Sequence, residues 1–322
     1  MDQAIKNTMR VKRPADRVRG AFVAELTSAG LPLIAMRDRT KFVKRALVAV
    51  LVLVSVGYAA TCAYLWTQQR ALIFLPESVV RRTPSAIGID FRELNITVNN
   101  RGVINAWWLP ADPSLSAAVA VLYFHGNDGN LGSELERLDT LHRLGLPILA
   151  VDYRGYGNSS GPAPSESNVY EDAVAAWDHL VRVHGFQPKR IVLYGHSLGA
   201  AVAVELALRR ALACGIVLDS TFTSMAAMAR SEYPLMPVDW LLEERFDTLD
   251  KISRLALPML FVHGMNDDVV PAGMTEELFR AAREPKQLFL VDAGHEDALQ
   301  KGGQRVAQAI AEVARRCGND GS

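Results

Sequence analysis

A serine set between two glycines is the most chemically suggestive feature of this chain. Gly195-His196-Ser197-Leu198-Gly199 follows the apolar run RIVLY and opens the Ala-rich stretch LGAAVAVELALRRAL. That is the strand–turn–helix setting in which a G-x-S-x-G turn lifts a hydroxyl clear of a sheet. The turn is strained and tightly packed, so a Cβ at either glycine would clash. It also places the hydroxyl at a helix N-terminus, where free N–H groups favour a developing negative charge. The chemistry expected of Ser197 is nucleophilic attack on an acyl carbon; a plain glycine-rich turn with an incidental serine is the bland alternative.

A serine hydroxyl needs a base within hydrogen-bond reach. Of the seven histidines, His295 is the candidate. It lies in Asp292-Ala293-Gly294-His295-Glu296, after the last apolar run and downstream of the serine, in the order Ser…Asp…His. His142, His179 and His184 fall within helical patterns, His196 is expected to point away from the turn, and His263 reads as a supporting group at a strand end. The acid that orients the base is expected after the preceding strand, in His263-Gly264-Met265-Asn266-Asp267-Asp268. Asp267 is chosen, with Asp268 as a surface or capping acid and Asp219, one strand earlier, as the alternative. A tetrahedral intermediate also needs two N–H donors. The backbone amides of Leu198, directly after the nucleophile, and of Asn127, in the tight His125-Gly126-Asn127 turn, are assigned to that task.

No cofactor or metal is expected, because no metal-ligand spacing, phosphate loop or dinucleotide fingerprint is present. The glycine-rich run from Asp152 to Gly161 lacks the G-x-G-x-x-G order and reads as a rigid loop beside the site. Cys62, Cys214 and Cys317 show no metal spacing and no disulfide framework, and a Cys214–Cys317 bridge is neither required nor excluded.

These side chains need a scaffold, and the runs at 118–124, 147–153, 190–195, 215–220, 258–264 and 287–293 are continuous enough in Val, Ile and Leu to be strands buried on both faces. Helix-length stretches near 131–144, 168–185, 198–212, 273–283 and 296–316 alternate with them, which implies right-handed crossovers and a mostly parallel sheet covered on both faces. Residues 91–98 and 104–110, separated by Asn99-Asn100-Arg101-Gly102, add an antiparallel entry edge and bring the sheet to eight strands. Residues 221–256, with Pro234, Pro237, Trp240 and several methionines, read as a short lid.

Ahead of this body, Ala46 to Trp66 carries no charge and is long enough to span a bilayer as one helix. Residues 1–45 hold eleven Lys and Arg against four acids, so the N-terminus is expected in the cytoplasm and the body, residues 68–316, on the extracytoplasmic side. A buried core helix and a cleaved signal peptide are the alternatives, and Met36 offers another start. The rest of the chain has 24 basic and 31 acidic residues. That balance argues against nucleic acid as a partner.

With these pieces placed, the chain resembles the single-pass α/β-hydrolases that include the fungal bud-emergence homologues and the animal α/β-hydrolase-domain depalmitoylases. The resemblance covers roughly residues 68–312 and rests on QQRALIFLPE, YFHGNDGN, DYRGYGNSSG, YGHSLGAAVA, DSTFTSM, FDTLDKI, HGMNDDVVP and AGHED. It implies the α/β-hydrolase fold, a triad of Ser197, Asp267 and His295, and oxyanion donors at Asn127 and Leu198. Asp128 departs from the related pattern, where a small residue stands, and a carboxylate there would oppose an oxyanion unless it faced solvent. The expected activity is hydrolysis of small-molecule or lipid-like esters or thioesters near a membrane. A serine peptidase, as in related serine aminopeptidases, and a non-catalytic scaffold on the same fold are the competing readings.

Overall fold

The computed structural model describes residues 33–111 and 119–319; most of the basic N-terminal segment, residues 1–32, lies outside them. The described chain opens with one long helix, α1 (Leu33–Ile73). Two compact units divide the chain between Thr61 and Cys62. In the first, the described residues 33–61 are helical, and Leu47, Leu51 and Val54 are among their exposed apolar side chains. Arg39–Ile73 is long and apolar enough to cross a membrane.

The second unit is built on an eight-stranded sheet in the order β10-β9-β8-β7-β4-β6-β3-β2. In chain order these strands are β2 (Arg92–Val98), β3 (Gly102–Leu109), β4 (Ala120–Phe124), β6 (Ile148–Val151), β7 (Ile191–His196), β8 (Gly215–Asp219), β9 (Met259–Gly264) and β10 (Lys286–Val291). From β6 to β10 across the sheet every pairing is parallel, while β3 pairs antiparallel with both β2 and β6. Asn99 and Asn100 turn the β2–β3 hairpin with positive φ values of 42° and 58°, a conformation that asparagine tolerates better than most residues.

Both faces of the sheet are covered, as the unbroken apolar runs require. On one face Leu122, Phe124 and Leu193 pack with α3 (Glu166–Arg182) and α4 (Leu198–Arg209). On the other face Val121, Tyr123 and Val192 pack with α2 (Leu135–His142) and α9 (Ala298–Asn319). The two-residue period of a strand thus sends alternate side chains into two separate cores. Cys214 and Cys317 form a disulfide, 103 residues apart in sequence, that ties the entry to β8 to the end of α9.

Two boundaries differ from the sequence expectation. Helix α1 does not stop at Trp66 but continues through the polar Gln68-Gln69-Arg70 to Ile73, because Gln69 finds partners inside the body and is only 8% exposed. The interval 221–256 is not all lid. It contains α5 (Met225–Glu232), α6 (Val238–Leu241) and α7 (Thr248–Ile252), but from Phe246 onward its apolar residues Phe246, Ile252 and Leu255 are core. The remaining cover is short, and Leu235 and Trp240 on it are 81% and 91% exposed.

Candidate active site

The turn between β7 and α4 is built by two glycines for which no other residue has room. A Cβ on Gly195 would lie 2.2 Å from the Gly199 carbonyl oxygen, and one on Gly199 would lie 2.2 Å from the Phe124 oxygen. Between them Ser197 holds φ 51° and ψ −117°, a backbone strain of the kind that collects at functional sites. Its amide donates to the Asp219 carbonyl at 2.8 Å, which fixes the corner to the end of β8. Leu198 begins α4, so its N–H belongs to the first turn and has no partner within the helix.

On the loop after β10, His295 directs Nδ1 at Asp267 Oδ2, 2.7 Å away. The Asp267 side chain is buried and saturated. Its Oδ1 accepts the amides of Val269 and Val270 at 2.9 and 2.7 Å, and His263 Nε2 lies 3.1 Å from Oδ2. Burial alone would raise the Asp267 pKa, but these hydrogen bonds hold the carboxyl well below the usual range. His295 moves the opposite way. Burial would lower its pKa, yet the Asp267 carboxylate raises it. With Nδ1 engaged, Nε2 is the nitrogen left for proton transfer. Among the described residues the Ser197 hydroxyl makes no hydrogen bond, so the link from serine to imidazole is open here. Such links commonly tighten only when substrate is bound.

Asp219, the alternative acid, is turned elsewhere. Its Oδ2 accepts from Tyr194 Oη at 2.7 Å and lies 3.4 Å from Arg137 Nε. The other histidines are placed in supporting roles. His142 bonds the Pro110 carbonyl, His184 stacks on Trp108 with centroids 4.0 Å apart, and His263 bonds Thr275 and Val270.

Asn127 stands on the loop after β4, whose geometry is set by its neighbours. His125 Nδ1 donates to the Gly126 carbonyl at 2.8 Å, leaving the Asn127 N–H on the opposite edge of that planar peptide. The Asn127 carbonyl accepts from Tyr156 Oη at 2.6 Å and from Leu75 N at 2.8 Å. Tyr153 and Tyr156, from the glycine-rich loop, pack their rings 4.5 and 5.0 Å from His125. Asp128 is exposed; it belongs to the two-residue strand β5 (Asp128–Gly129), which pairs in parallel with β1 (Leu75–Pro76).

Asn127, Ser197 and Leu198 together line a cleft of about 580 Å³. Most of the rest of its wall is apolar, with Phe222, Met225, Met228 and Val270 among the contributors. The comparison with known proteins fits this architecture. A sequence model described as the α/β-hydrolase family matches residues 121–293.

This chain belongs to the α/β-hydrolase family.

An uncharacterised Mycobacterium tuberculosis protein, Rv2307c, is 36% identical to this hydrolase over 264 residues, 82% of this chain and 92% of that one. The α/β-hydrolase domain-containing protein 17B of Xenopus laevis is 34% identical over 201 residues, 61% of this chain and 68% of that protein. Among solved structures, the Pyrococcus furiosus esterase Pf2001 superposes with a TM-score of 0.62 at 21% identity, covering 76% of this chain and 97% of the esterase.

Sequence reasoning did not find the buried support behind the site. Arg137, 3% exposed, bonds Glu134, His196 and Glu296 and sits beside Asp219. No local signal marks an arginine whose partners His196, Asp219 and Glu296 lie 59 to 159 residues away.

Proposed function

We propose that this hydrolase is a membrane-anchored serine esterase or thioesterase that works through Ser197, His295 and Asp267. In this mechanism His295 Nε2 takes the Ser197 proton as the oxygen attacks the acyl carbon, and Asp267 holds the imidazole by Nδ1 and stabilises its positive form. The oxyanion is received by the Leu198 and Asn127 amides, each such donor being worth roughly 3–4 kcal/mol to the transition state. Collapse expels the alcohol or thiol, which takes the proton from His295. Water, deprotonated by the same nitrogen, then releases the carboxylate.

The observation that carries this reading is the Asp267–His295 pair on a strand-end loop of the same sheet whose β7–α4 corner holds Ser197 in an apolar cleft. A peptidase would need an acid free to bind an α-amine. Of the lid acids, Asp239 pairs with Arg230, Glu243 with Trp66, and Glu244 with Arg70; Glu232 is the one that lines the cleft.

The body is assigned to the extracytoplasmic side. Support comes from the basic residues that precede the apolar helix and from the Cys214–Cys317 bridge, since disulfides persist in oxidising compartments. The full-length protein in detergent should react with a fluorophosphonate probe and hydrolyse p-nitrophenyl esters faster than aminoacyl arylamides. Labelling that survives Ser197→Ala would refute the assignment of the nucleophile, and a preference for arylamides would favour the peptidase.

A further inference from the structure

We propose that the last three turns of α1, residues 62–73, are a wall of the substrate site. The end of the apolar helix would then seat the acyl chain and determine which chain lengths are accepted. The inference rests on the reading of Ser197 as the acylated residue.

Leu65, Gln69, Leu72 and Ile73 line the same cleft as Ser197. A simple tether would have no reason to reach the nucleophile. Met225, Met228 and Met236 line the same cleft, flexible side chains that adapt to an irregular apolar guest. Gln69 is the polar member of the helix wall, and its amide is committed to the cover. Nε2 donates to the Trp66 and Leu241 carbonyls at 2.8 and 3.4 Å, while Oε1 accepts the Glu243 and Glu244 amides at 2.7 and 3.3 Å. The wall therefore offers a ligand mainly hydrocarbon.

The same turns hold the machinery on either side. Arg70 Nε lies 2.6 Å from Glu244 Oε1, which fixes the exit of the lid. Asn127 Nδ2 donates to the Ile73 carbonyl at 2.8 Å, and Leu75 N to the Asn127 carbonyl. One short stretch thus touches the lid, the cleft and the loop assigned to the oxyanion. The occupant that fits is a single long acyl chain. A cleft of about 580 Å³ with this mainly apolar lining has room for a long chain.

The test uses the full-length protein in detergent, with p-nitrophenyl butyrate and palmitate as probes and fluorophosphonate labelling to count active sites. Leu65→Trp and Leu72→Trp add bulk to the helix wall of the cleft. Each should lower the palmitate-to-butyrate ratio of kcat/KM by about tenfold or more. Leu72→Ala enlarges the cleft and should move the ratio the other way, so a bulky variant that fails to fold leaves the question decidable. Ratios that stay near the wild-type value in labelled Leu72→Ala and in whichever tryptophan variants label overturn the inference while leaving the nucleophile assignment intact. Wild-type protein that neither labels nor hydrolyses either ester overturns both. Parallel assays on a palmitoyl thioester of a small thiol and on monopalmitoyl glycerol distinguish a thioester source of the chain from a glycerolipid one.

Discussion

Arg137 Nη2 donates to His196 Nε2 at 2.8 Å. A guanidinium can only donate, so this ring nitrogen accepts, and His196 is neutral with its proton on Nδ1. Burial, the Arg137 charge and nearby His295 all hold its pKa well below the ordinary histidine value. The imidazole adjacent to the serine in sequence is therefore a fixed acceptor, which leaves the proton transfer of the proposed mechanism to His295. The same guanidinium donates to the Glu296 carbonyl at 2.8 Å, joining the His295 loop to the Ser197 corner.

Replacing Arg137 with Met should destabilise the fold by about 3–5 kcal/mol, because Glu134 and Asp219 would be left buried without their cation. Urea unfolding measures the cost. A loss below about 1 kcal/mol would mean that the buried cluster contributes no more than an exposed pair.

Asp267→Asn should lower kcat by about four orders of magnitude with little change in KM, since the wrong imidazole tautomer would face the serine. Asp219→Asn should act mainly on stability, as its partners are Arg137 and Tyr194. Steady-state kinetics on both variants, with unfolding curves alongside, separates the two acids.

The acid limb of the pH profile follows from His295. In the proposed mechanism its neutral form is the base, and Asp267 raises its pKa against the lowering effect of burial. As pH falls through that raised value, kcat/KM should fall, with a midpoint above the ordinary 6.5. In Asp267→Asn the limb should move to lower pH. A wild-type midpoint below 6.5 would contradict the proton-transfer role given to His295.

Gly199→Ala should abolish labelling of Ser197 and lower stability by about 1–3 kcal/mol or more, because the new methyl meets backbone oxygens that cannot move aside. Probe labelling and thermal unfolding read the two effects.

Replacing Cys214 and Cys317 with Ser should cost about 2–5 kcal/mol. A urea midpoint that is the same with and without reductant in the unaltered protein would show that the bridge is not formed.

The sheet was legible in the sequence because each strand is a continuous apolar run with turn residues at its ends. The Ser197 corner was legible because Gly195 and Gly199 mark a backbone crossing that no side chain survives. Chain order after β10 and β9 pointed to His295 and Asp267, which the fold brings within 2.7 Å of each other. Gln69 sits beside Arg70 at the end of an apolar run, and only the fold supplies the Leu241 carbonyl and the Glu243 and Glu244 amides that, with the helix's own Trp66 carbonyl, bury it. Arg137 was invisible for the same reason, since its acceptors come together only through the crossovers of the sheet. The chain order that located His295 carries no comparable signal for a disulfide, whose two sulfurs meet only when α9 lies across β8.

The short parallel pairing of β1 with β5 ties the end of α1 to the chemistry assigned to the cleft. Leu75 and Pro76, directly after α1, are paired with Asp128 and Gly129, so any strain at the end of that helix passes straight into the loop that bears Asn127. A protease nick between Trp66 and Leu75 should therefore unpick the loop that bears Asn127 rather than release an intact hydrolase.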